Sequence, residues 1–188
     1  MKKDIQVKFK IDNIRKFMDK LQLLNYVLIG GNFEKITRYD DEKDSLSNNG
    51  IFIRTKSGID EVVTIKEKSM ASEKYKYFKR DALSMEVENC DVLDHIFRKI
   101  GLTNLYIMEK YRLTFKNNKS IICIDELPFG VYCDIIDTEK NIDRLLKIFN
   151  IDDFYNTTYW EIYEKLSGIV NPKKIIFEKD HIFMLASL

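Results

Sequence analysis

The chain has 188 residues, 45% hydrophobic and 32% charged, with 31 Lys plus Arg against 30 Asp plus Glu and a formal net charge of +1. That length fits one domain with a core of its own, and the balanced charge excludes a wholesale basic footprint for duplex nucleic acid. No apolar run reaches the ~18 residues of a bilayer span, no signal-peptide core follows Met1-Lys2-Lys3-Asp4, and three scattered cysteines fit a reducing compartment. The expectation is a soluble, cytoplasmic protein.

Residues 4–11 alternate strictly, with Ile5, Val7, Phe9 and Ile11 on one side and Asp4, Gln6, Lys8 and Lys10 on the other. Period two predicts a half-buried strand. Asp12 stands where a helix cap is needed, ahead of Ile14, Phe17, Met18, Leu21 and Leu24 at helical spacing. A strand-like stretch over 26–39, a polar loop over 40–49, and strands over 51–56 and 61–68 joined at Ser57-Gly58 complete a first half. The second half repeats the plan. Residues 83–88 alternate, Asp91 caps a predicted helix carrying Val92, Leu93, Ile96, Phe97 and Ile100, and Gly101 sits at its stop. Strands follow over 105–115, 120–125 and 131–136, with a hairpin at Asn117-Asn118. A helix over 141–149 closes this half. Another carries Trp160, Tyr163 and Leu166, until Asn171-Pro172 breaks it. The expected organisation is one domain over 1–168 and a C-terminal extension over 169–188, packed on the surface.

The polar faces of these strands share a theme. Lys8 rides with Lys10, Arg54 with Lys56, Thr64 with Lys66 and Lys68, and Lys110 with Arg112; Glu86 with Glu88, Asp125 and Asp134 supply acids in the same manner. An antiparallel sheet with one wet face accounts for this. So does an α+β fold whose sheet closes into an antiparallel barrel, with apolar faces outward under helices and charged faces lining a wet interior. Cations confined together repel one another unless an anion neutralises them. The natural occupant is a polyanion such as a triphosphate, with carboxylates holding a divalent metal that bridges its oxygens. Other chemistries lack their residues. There is no G-x-x-x-x-G-K-[ST] and no H-E-x-x-H, and Gly30-Gly31 reads as a turn. His95, mid-helix, and His181, in the tail, suit no Ser/His/Asp triad, and Cys90, Cys123 and Cys133 read as packing residues.

Short motifs recur in order: Asp4-Ile5-Gln6-Val7-Lys8, Tyr39-Asp40, Gly50-Ile51-Phe52-Ile53-Arg54-Thr55-Lys56 and Val63-Thr64-Ile65-Lys66. Arg80 with Glu86 and Glu88, Lys110-Tyr111-Arg112, the stretch 125–136 from Asp125-Glu126-Leu127-Pro128 to Ile136, and Thr158-Tyr159 continue the series. In order and strand register these resemble the CYTH superfamily, the triphosphate tunnel proteins that include class IV adenylyl cyclases and thiamine triphosphatases. The family's matching elements are E-x-E-x-K, a tyrosine–aspartate pair, G-x-x-L-R-x-R, L-T-x-K, an arginine with paired glutamates, K-x-R, D-e-x-P-x-x-G-x-F-x-E-I-E and S-Y. The likeness runs over about residues 4–166.

The resemblance implies a closed tunnel of two similar strand–helix–three-strand halves, and a reaction at the triphosphate of ATP, thiamine triphosphate or tripolyphosphate, with Mg²⁺ or Mn²⁺. It assigns phosphate binding to Lys8, Arg54, Lys66, Lys110 and Arg112, with Lys10, Lys56 and Arg80 as additions, and gives Lys8, Lys66 and Arg112 the catalytic part. Asp4, Glu86, Glu88, Asp125 and Asp134 become metal ligands, each with the alternative of a lumen charge paired to a neighbouring lysine. Two departures weaken the metal half. Gln6 replaces the second opening glutamate and Ile136 the last glutamate of E-I-E, where a hard divalent cation wants charged oxygens. A hydrolase or cyclase with a modified metal site, a polyphosphate or nucleotide binder with little or no turnover, and a structural domain whose function lies in the tail all stand open. The expected partner is a triphosphate-containing small molecule, with no membrane or duplex nucleic acid, and a homodimer is allowed.

Overall fold

The structure, a computed structural model, describes residues 2–67, 76–118 and 120–187, with side chains described over 5–67, 76–78, 82–118 and 120–187. The first half runs β1 (Lys2–Lys10), α1 (Ile14–Leu23), β2 (Val27–Asp40), a one-turn α2 (Ser45–Asn48), β3 (Ile51–Ser57) and β4 (Val62–Glu67). The second runs β5 (Phe78–Glu86), α3 (Cys90–Lys99), β6 (Asn104–Asn117), β7 (Ser120–Leu127), β8 (Gly130–Ile136) and α4 (Glu139–Phe149). Then come α5 (Tyr159–Ser167), β9 (Lys174–Ile175) and a 3₁₀ turn at Leu185–Ser187. The repeated strand–helix–three-strand plan is therefore present. The caps sit beside the expected ones: Asn13 accepts the Lys16 amide, and Asn89 those of Asp91 and Val92. An amide oxygen caps as well as a carboxylate, so composition alone does not choose between neighbours.

The nine strands form one sheet in the order β2-β3-β4-β5-β1-β8-β7-β6-β9, antiparallel apart from β6–β9. β2 also pairs with β6, from Val27 opposite Lys116 to Asp40 opposite Asn104. Each of β1 to β8 thus has a hydrogen-bonded neighbour on both edges. Gly30 and Gly31 lie inside β2, at a register shift after Leu28, and not in the expected turn. A Cβ on Gly31 would stand 2.7 Å from the Leu113 side chain, so glycine here lets two strands approach closely.

Alternation sorts the side chains into two environments. On the outer face Val7, Phe9, Leu113, Ile122, Ile124 and Ile135 are buried under Phe17 and Leu21 of α1 and Ile142, Leu145 and Phe149 of α4. Each such side chain contributes roughly 1.5–3 kcal/mol by leaving water. A smaller cluster of Met108, Tyr132, Tyr159, Ile162 and Ile175 holds α5 and β9 to the sheet. Ile65, Leu83 and Met85, on the outer face of β4 and β5, are exposed. The segment after Gly168 does more than cover a surface: it adds β9 in parallel to β6, buries Ile175 and Leu185, and stacks Phe183 on Tyr111 with Phe33 tilted against it. No helix among the described residues is long and apolar enough to cross a membrane.

Candidate functional site

The inner face of the sheet looks onto a cavity of about 470 Å³. Lys8 from β1, Arg38 from β2, and Arg54 and Lys56 from β3 line it, as do Lys66 from β4 and Lys110 and Arg112 from β6. Strand register decides how these charges meet. Lys8 lies directly opposite Asp134, Lys110 opposite Glu34, and Arg112 opposite Asp125. Arg38, by contrast, lies opposite Arg54.

The acidic pairings are tight. Arg112 donates from Nε to Asp125 Oδ1 at 2.5 Å and from Nη2 to Oδ2 at 2.6 Å. Lys110 reaches the same carboxylate at 3.3 Å, and the Tyr159 hydroxyl donates to it at 2.9 Å. Burial alone would raise the Asp125 pKa, but Arg112 and Lys110 hold it well below the usual carboxylate range. Glu34 follows the same logic: burial opposes its charge, yet Lys110 at 3.2 Å, with Arg112 and Lys56, brings its pKa to about 2. Lys8 stands 3.4 Å from Asp134 and donates to Gln6 Oε1 at 3.0 Å. Burial lowers its pKa, and Asp134 opposes that shift.

The other wall is aromatic. The Arg38 guanidinium stacks 3.7 Å from the Tyr106 ring, with Trp160 at 5.7 Å and Phe52 at 5.8 Å, a cation–π arrangement that places a charge without an acid. α5 contributes Tyr159 and Trp160 because a capping box, Thr158 with Glu161, starts the helix at the cavity's edge. Asn171 and Pro172 line the cavity as well.

Of the side chains expected at the site, Lys8, Arg54, Lys56, Lys66, Lys110, Arg112 and Asp134 line the cavity, and Asp125 lies fully buried behind Arg112. The structure does not bring Lys10, Glu86 or Glu88 into it. All three are exposed, Lys10 and Glu86 as the last residues of their strands and Glu88 beyond one. The side chains of Asp4 and Arg80, and Lys68 altogether, lie outside the described residues. Glu34 and Arg38 were missed. Their signal was the inward set Glu34, Ile36, Arg38 and Asp40 of one long strand, whose phase the glycine pair obscures. Asp40 itself acts locally, accepting the amides of Leu46 at 2.9 Å and Ser47 at 2.9 Å and so tying down the polar loop.

A divalent cation such as Mg²⁺ or Mn²⁺ needs converging oxygen ligands. Among the described residues no three His, Cys, Asp or Glu side chains converge in that way. Glu34, Asp125 and Asp134 are each committed to buried cations. Gln6 gives its carbonyl oxygen to Lys8, and its cross-strand partner Ile136 offers none. The described residues therefore do not fit such an ion. Elsewhere, the three thiols are buried, and burial pushes Cys90 and Cys123 up to about 11, as inert packing residues require. His95 meets the Asp91 carbonyl at 3.0 Å and His181 the Glu126 carboxylate at 3.0 Å; neither lines the cavity.

No protein-family model matches the sequence, and no curated protein does. Solved structures do. A protein of Pyrococcus horikoshii is 18% identical with a TM-score of 0.68, over 83% of this chain and 96% of that one. A candidate adenylate cyclase of Vibrio parahaemolyticus is 16% identical with a TM-score of 0.70, over 86% and 97%. A candidate adenylyl cyclase of Hippeastrum, described as having a dominant triphosphatase activity, is 11% identical with a TM-score of 0.58, over 94% and 100%. The chain shares the fold of these proteins, and the resemblance drawn from its motifs is met at the level of the fold.

Proposed function

We propose that the cavity binds the triphosphate group of a small molecule, and that the ring of strand pairings around it forms the wall of a tunnel. One observation carries this reading: basic side chains from five strands converge on a single cavity in which Arg38 faces Arg54 directly. Like charges in direct cross-strand register destabilise a sheet, and a chain of phosphoryl oxygens placed between them removes that cost. Arginine suits it by its bidentate fork, lysine by a compact charge.

Processing of the bound triphosphate, by hydrolysis or cyclisation, is the second reading. The fold shared with a protein described as a triphosphatase supports it. In that reading Lys8, Lys66 and Arg112 hold the charge that develops on the phosphoryl oxygens, where fixed cations in a water-poor site act most strongly. The experiment is a parallel incubation of the purified protein with tripolyphosphate, ATP and thiamine triphosphate, with Mg²⁺ or Mn²⁺ present. Product release and thermal unfolding are both recorded. Tripolyphosphate at a hundredfold over Kd is expected to stabilise the fold by about 2.7 kcal/mol, and Arg54→Ala to abolish that shift. Phosphate or cyclic nucleotide release makes the protein an enzyme; stabilisation without product makes it a binder. No stabilisation by any polyanion overturns both.

A further inference from the structure

We infer that the first half of β2 is an interface, and that a second copy of this chain sets its own β2 against it as an antiparallel neighbour. β2 is paired with β6 from Val27 to Asp40, but with β3 only over 35–39. Over 27–33 its other edge has no strand beside it among the described residues. The turn after β3 stops at the end of this edge, where a Cβ on Gly58 would stand 2.6 Å from the Phe33 carbonyl oxygen. A free edge offers its unpaired N–H and C=O groups to any extended chain.

The usual protection is missing here. Proteins blunt free edges with lysine, with proline or with a covering loop. Residues 21–33 carry no charge and no proline, the longest uncharged stretch of a chain that is 32% charged. The register shift after Leu28 bends the strand but adds neither. At one end Leu23, Val27, Leu28 and Ile29 are 82, 64, 49 and 58% exposed, and at the other Phe33 and Ile59 are 37 and 73% exposed. With the backbone between them they make a surface on the order of 800 Å², what a standard interface takes from each partner.

Self-pairing suits this surface. With a two-fold axis near Gly30, Val27 of each copy comes beside Phe33 of the other. Glu34 and Lys35 then fall beyond the start of the opposing β2, so no like charges meet. A parallel pair would set Lys35 beside Lys35, at a cost to the sheet. The edge occurs once per chain, so a two-fold pair closes and stops at a dimer.

Sedimentation of the full chain over a dilution series tests this. The expected species is a dimer that dissociates on dilution. Ile29→Lys is expected to weaken it by about tenfold or more, because it holds two like charges across the axis. Mixing Ile29→Lys with Ile29→Glu is expected to restore the dimer, which also shows both variants to be folded. Ile96→Lys, on the exposed flank of α3, is expected to leave it intact. A chain that sediments as a monomer throughout overturns the inference. So does a dimer that survives Ile29→Lys, fails to re-form in the mixture, or falls apart with Ile96→Lys.

Discussion

Asp125 accepts from Arg112, Lys110 and Tyr159 at once, so a single carboxylate fixes the position of two of the cavity's cations. Removing it takes the bidentate partner from Arg112, which keeps only Asp134 at 3.4 Å, and leaves Lys110 to Glu34 alone, at a cost of ~3–5 kcal/mol for a broken buried pair. Asp125→Ala is expected to lose that much stability in urea unfolding; a loss under 1 kcal/mol would show the pairs to be worth no more than exposed ones. Glu34 makes a related prediction in pH. Its folded pKa, about 2, lies below the 4.5 of the free group, because Lys110 and Arg112 outweigh burial. A depressed carboxylate pKa contributes stability that is fully present above about 4.5 and is lost as pH falls from there through about 2. Acid titration of the fold should therefore be steeper between these limits in the wild type than in Glu34→Gln. Lys8, Lys110, Arg112, Asp125 and Asp134 were all legible in the sequence, Lys8 from the unbroken alternation of its strand and the others from the short motifs that carry them. Whether Asp125 would face a metal or an arginine was not, since that depends on which strand lies beside β7.

At the scale of elements, the strongest patterns are the local ones. α3 and α4 carry apolar residues at helical spacing, and β1 alternates without a break, so their positions come out within a few residues. β2 is different. It carries inward charge, outward aromatics and a glycine bulge in one 14-residue strand, and its phase is set by pairing with β6 more than by its own composition. α5 joins the two scales: the Thr158–Glu161 capping box sets where the helix starts and so where Tyr159 and Trp160 stand. Thr158→Ala is expected to cost about 1 kcal/mol, read by denaturant midpoint. It should also shift the emission of Trp160, whereas a cap acting on the helix alone leaves emission unmoved.

At the scale of the molecule, the C-terminal segment decides whether 1–168 is a complete unit. Its sequence looks like an extension because its apolar residues, Ile175, Phe177, Phe183 and Leu185, follow neither a strand nor a helix period. The structure ties each to a partner far away in sequence. Ile175 pairs beside Met108. The Phe177 amide donates to the Glu109 carboxylate at 3.1 Å. Phe183 rests on Phe33 and Tyr111. Leu185 enters the main core, where it is 1% exposed. Glu126, buried on the outer side of β7, anchors the segment by accepting the amides of Met184 at 3.0 Å and Leu185 at 2.8 Å. Such contacts close long loops and cannot be read from local pattern. Leu185→Ala is expected to cost about 2–5 kcal/mol, as a buried leucine truncated to a cavity does, and removal of residues 173–188 to cost more. Both are measured by urea unfolding of the full chain and the variants. Unchanged midpoints would return the segment to the status of a surface appendage; a cooperative loss makes it a structural part of the wall that carries Lys110 and Arg112, since β9 and Phe183 both brace β6.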